Sequence, residues 1–89
     1  MTSDDTRYRC RICGLQLDDP PWGEDGQTPD FTFCPCCGVE FGYQDASIKG
    51  IRAYRQSWIN AGATWQDPKA KPLGWDLDEQ LGHIPADYR

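Results

Sequence analysis

The chain has 89 residues, a formal charge of −5 and five cysteines, with 38% hydrophobic and 26% charged residues. A chain this short is expected to form one domain with little core to bury, so a bound metal would supply folding free energy that the apolar residues alone do not. The acidic balance argues against a nucleic-acid partner, which is gripped through basic surface. No segment has the roughly 20 apolar residues needed to span a membrane.

The polar start, Met1-Thr2-Ser3-Asp4-Asp5-Thr6, is expected to fray and has no apolar signal-like stretch. A reducing cytoplasm is the expectation that follows. Arg7 to Arg9 then lead as a short strand into Cys10-Arg11-Ile12-Cys13-Gly14, and Leu15-Gln16-Leu17 alternates as a return strand. The acidic stretch from Asp18 to Gly26 reads as a turn-rich loop packed by Trp22. Its carboxylates lack the regular alternation of a calcium loop. Phe31-Thr32-Phe33 enters a second turn, Cys34-Pro35-Cys36-Cys37-Gly38, and Val39 to Tyr43 leaves it as another short strand.

The two cysteine turns form C-x2-C-x20-C-x2-C with a glycine after each second cysteine. That is the pattern of a four-thiolate metal site. Two intervening residues let one tight turn present two sulfurs to one ion, and Gly14 and Gly38 permit the positive φ that follows. The register assigns Cys10, Cys13, Cys34 and Cys37 as metal ligands. Pairing Cys34 with Cys36 would put Gly38 out of register. Cys36 is then either a spare thiol inside the turn or a redox thiol made acidic by the metal. An odd cysteine count in C-x-x-C pairs argues against a disulfide framework.

A helix follows, from an Asp45 N-cap to a Gly62 stop, with Ile48, Ile51, Trp58 and Ile59 on one face. Gly50 weakens it by up to about 1 kcal/mol. Arg55 interrupts the apolar face. Its guanidinium is expected either to pair with Asp76, Asp78 or Glu79, or to stack on Trp75, or to anchor an acidic partner. An extended crossing pinned by Trp65 and Leu73 leads to a short helix capped by Asp76, with Glu79 placed for a capping box. Trp75, Leu77 and Leu81 are its apolar residues and Gly82 ends it. His83 reads as a helix-end residue. No catalytic constellation or phosphate loop stands out.

The stretch from Tyr8 to Tyr43 resembles rubredoxins and zinc ribbons, through Tyr8-Arg9-Cys10-Arg11-Ile12-Cys13-Gly14, Asp18-Asp19-Pro20 and an aromatic just before Cys34-Pro35-Cys36-Cys37-Gly38. The resemblance implies the same four ligands. The chain as a whole resembles a family of small bacterial proteins named for a cysteine-rich C-P-C-C motif. Cys34-Pro35-Cys36-Cys37 followed by Val39-Glu40-Phe41-Gly42-Tyr43-Gln44-Asp45 and then a helix carries that likeness, which implies a protein-binding role. The expected fold is a small α+β domain spanning 1–89. Rubredoxin-like or zinc-ribbon knuckles with short β-hairpins occupy 7–44, and a helical extension over 45–89 packs on them. The expected function is a zinc-binding module with one structural zinc ion and a protein partner. An iron electron carrier and a redox- or zinc-responsive sensor using Cys36 are the alternatives.

Overall fold

The computed structural model describes residues 6–89, so the polar start expected to fray lies outside the described residues except for Thr6. Thr6–Tyr8 forms a 3-10 turn where a strand was expected. Among the described residues, the expected hairpin strands are each reduced to one isolated antiparallel bridge, Arg9 with Gln16 and Phe33 with Glu40. Each cysteine turn leaves room for little more, because the chain reverses within it.

The two turns share one hydrogen-bond plan. The Cys10 amide donates to the Leu15 carbonyl at 2.9 Å and the Gly14 amide to the Cys10 carbonyl at 3.0 Å. The second turn repeats this with Cys34 to Val39 and Gly38 to Cys34, both at 2.9 Å. Ile12, Val39 and Phe41 are buried beside the cysteines and form the centre of the core.

Helix α1 runs Ile48–Asn60. Its N-cap is Ser47, whose hydroxyl accepts the Gly50 amide, and not Asp45 as the sequence suggested. A hydroxyl at that position satisfies one orphan amide of the first turn. Asp45 is instead fully buried and accepts the Trp22 Nε1–H and the Gly42 amide, each at 2.8 Å. It thereby ties the acidic loop to the end of the second turn, and Trp22 packs that loop as expected.

Ile51 and Trp58 carry the buried face of α1, whereas Ile48 stays 40% exposed at its start. Burying two such side chains contributes roughly 3–6 kcal/mol. Gly50 is explained by proximity, since a Cβ there would lie 2.7 Å from the Gln44 carbonyl oxygen. The helix ends where Gly62 turns to positive φ and the Ala63 amide bonds back to the Trp58 carbonyl.

The crossing segment is pinned by Trp65, which is buried and meets Trp75 edge-to-face at 5.5 Å. Leu73 does not share that role, being fully exposed at the tip of the segment. Helix α2, Leu77–Leu81, is capped by Asp76 through the Asp78 amide. Leu77, Leu81 and Trp75 pack against the core. The chain closes through buried Ile84 and a 3-10 turn, Ala86–Tyr88. There the Arg11 guanidinium lies between the Trp22 and Tyr88 rings, at 4.1 and 4.3 Å from their centroids, and joins the acidic loop to the C-terminus. Among the described residues, no helix is long and apolar enough to cross a membrane.

Candidate metal centre

The Sγ atoms of Cys10, Cys13, Cys34 and Cys37 all lie within 4.8 Å of one another, and all four residues are buried. Cys10 to Cys37 and Cys13 to Cys34 are each 3.7 Å apart. A tetrahedron with metal–sulfur bonds near ~2.3 Å has edges of about 3.8 Å. The four thiols are therefore positioned to hold a metal ion, two from each turn.

Their electrostatics point the same way. Burial pushes the Cys13 and Cys37 thiols up, while hydrogen bonds from Cys10 and Cys13 pull Cys34 down. Four thiolates this close repel one another strongly in a buried site, and a cation at their centre removes the conflict.

Cys36 stands outside this group but serves it through its backbone. Its amide donates to the Cys34 sulfur at 3.4 Å, which neutralises charge on that ligand. Its own side chain is fully buried and accepts a hydrogen bond from Gln80 Nε2 at 3.3 Å. The hydrogen bond with Cys13, and after it that from Gln80, hold the Cys36 thiol below the usual thiol range against the effect of burial.

The outward carbonyls of a metal turn have no partner within the turn, and burying them unpaired would be costly. The extension beyond residue 45 supplies the partners. In the first turn Arg55 donates to the carbonyls of Ile12 at 2.7 Å and Arg11 at 2.9 Å, and Gln80 to that of Cys13 at 3.2 Å. In the second turn the amides of Asp67 and Gln66 donate to the Pro35 and Cys36 carbonyls, and the Tyr54 hydroxyl to that of Cys37, all at 2.9 Å. All six are engaged from the helical side of the molecule.

Arg55 is the sequence-flagged residue whose role changes most. The carboxylate or Trp75 partner expected for it is replaced by main-chain oxygens, including Tyr88 at the C-terminus. Its position on the buried face of α1 aims it at the first turn. Burial pulls its titration downward, opposed first by the sulfur of Cys10. His83 is exposed, as a helix-end residue should be. The acidic loop spends two of its carboxylates internally. Asp25 takes the Gln27 amide and Thr28 hydroxyl, and Asp30 the amide and hydroxyl of Thr32.

Gln66 and Gln80 were not singled out from the sequence, and Tyr54 was read only as an edge residue of the apolar face of α1. For Gln80 a signal existed. It falls three residues after Leu77 and one before Leu81, a polar residue on the apolar stripe of a helix.

No family model matches the chain, and no solved structure matches it. Two proteins of Bacillus subtilis (strain 168), both described as uncharacterised, are similar to it. YozI is 33% identical over 90 aligned residues, which cover 83% of this chain and 69% of YozI. YoaQ is 32% identical over 91 residues, which cover 83% of this chain and 70% of YoaQ.

Proposed function

The chain belongs to the family of YozI and YoaQ, and we propose that it is a zinc-binding protein-interaction module whose metal is structural. The observation that carries this reading is a closed four-sulfur site whose six turn carbonyls are all held by the rest of the chain. A catalytic zinc keeps an open coordination position, and a structural one is enclosed by four protein ligands. On this reading the fold is one zinc-ribbon or rubredoxin-like domain of paired knuckles, with the helical extension as its second half. The ligands are Cys10, Cys13, Cys34 and Cys37, and a cytoplasmic location is part of this reading, since thiolate ligands persist in a reducing compartment.

A partner protein is favoured by the surface. Phe31 and Phe33 are each 60% exposed and Tyr43 is 71% exposed, all around the second knuckle. Aromatic side chains are the type that protein interfaces favour. The acidic balance disfavours a nucleic-acid partner.

Elemental analysis of protein expressed in medium balanced in zinc and iron tests the metal. The expected result is one zinc per chain and no colour. Iron at one per chain, with a red thiolate charge-transfer band, would instead support the electron-carrier alternative.

A further inference from the structure

Among the described residues, Arg55 holds the first metal turn and Tyr54 the second, whereas Gln80 touches both. Its Nε2 lies 3.2 Å from the Cys13 carbonyl and 3.3 Å from the Cys36 sulfur. Its Oε1 accepts the Trp75 Nε1–H at 2.7 Å. That indole N–H can only donate, so it fixes which end of the amide faces outward. Both amide protons are then directed at the knuckles, one at each.

The two contacts are not equivalent in what they do. The first holds the carbonyl of a ligand residue, Cys13. The second restrains Cys36, whose amide points at the sulfur of Cys34. The helix backbone is seated just as closely, since a Cβ on Gly14 would lie 2.4 Å from the Gln80 carbonyl oxygen. Gly14 also sits at a φ of +83°, so the first knuckle is kept free of a side chain where α2 rests on it.

We propose that Gln80 is a positioning residue of the metal centre: it fixes the two knuckles relative to each other through one amide proton on each. The proposal rests on the metal reading above. Outer contacts of this kind orient ligands, and their loss typically weakens metal binding about 10- to 100-fold.

The test is cobalt(II) binding to the full chain, measured by chelator competition and by the absorption of the cobalt–thiolate centre. Gln80→Met keeps the volume and removes both donors. Gln80→Glu sets a carboxylate against the Cys13 carbonyl and the Cys36 sulfur. Leu77→Ala weakens the packing of α2 while leaving both contacts in place. The expected order of affinity is wild type, then Gln80→Met about 10- to 100-fold weaker, then Gln80→Glu weaker still. Shifted charge-transfer bands should accompany both Gln80 variants. Leu77→Ala should melt earlier but bind cobalt with a wild-type spectrum and near wild-type affinity. The proposal is overturned if Gln80→Met keeps the wild-type affinity and spectrum, or if Leu77→Ala loses as much affinity as it does. Failure of the wild-type chain to give a tetrahedral thiolate spectrum would overturn the metal reading itself, and this proposal with it.

Discussion

Arg55→Ala offers a quantitative test of how the extension supports the metal turns. The side chain is half-buried and donates to three main-chain carbonyls, those of Arg11, Ile12 and Tyr88. A hydrogen bond from a charged donor contributes about 1.5–3 kcal/mol when sheltered and less when water can replace it. Partial exposure admits water to some of these oxygens, so a total near 3 kcal/mol is the reasonable figure. In a domain of this size that corresponds to a melting temperature lower by about 12–24 °C. Arg52→Ala is the matched control, because Arg52 is exposed and donates through Nε to the Arg89 carbonyl at 2.9 Å. Its loss should cost under about 1 kcal/mol. Both variants should be melted with the same excess of zinc, since bound metal raises apparent stability by mass action. Metal stoichiometry should stay at the wild-type value in each, because the sulfurs are untouched. Arg55→Lys should recover only part of the loss, since an ammonium lacks the planar fork that spans two carbonyls. Equal melting temperatures for Arg55→Ala and Arg52→Ala would show that water serves those carbonyls as well as Arg55 does.

Asp45→Asn should destabilise by about 2–3 kcal/mol, because its NH2 must face either the Trp22 or the Gly42 donor; a denaturation midpoint unchanged from wild type would contradict that. Ser47→Ala removes the α1 cap and should cost about 1 kcal/mol, whereas Ala46→Ser nearby should change little in the same melt. Acidification should release metal and unfold the chain together. Metal-bound cysteines titrate well below free thiols, so the stability they confer is lost as pH falls. Release of zinc with the far-ultraviolet dichroism intact would show that the fold does not depend on the metal.

The four-cysteine cluster was legible because its geometry is local. Cys10 with Cys13, and Cys34 with Cys37, are joined by turns whose glycines the spacing already marks. What the spacing could not show is how the turns are held. The donors that reach their carbonyls come from Tyr54, Arg55, Gln66, Asp67 and Gln80, and no periodicity ties those positions to a cysteine. Arg55 was visible as a charge on an apolar face, but the same rule that flagged it favoured a carboxylate partner. The rule counts opposite charges and overlooks the unpaired carbonyls that a metal turn leaves outward. Asp45 failed as a helix cap for a related reason. Capping propensity cannot distinguish Asp45 from Ser47 two residues later, and the demand of Trp22 for an acceptor is a long-range fact. The strands contracted to single bridges because the chain reverses within each cysteine turn, closed by the Cys10–Leu15 and Cys34–Val39 hydrogen bonds.

The central claim is that Cys10, Cys13, Cys34 and Cys37 hold the ion while Cys36 does not. Native mass spectrometry of the zinc-loaded wild type, Cys36→Ser and Cys37→Ser measures it directly. The account predicts one zinc on the wild type and on Cys36→Ser, each ion carrying the mass of zinc less the two protons a divalent ion replaces, and no stably bound zinc on Cys37→Ser. Retention of zinc by Cys37→Ser together with its loss from Cys36→Ser would contradict it.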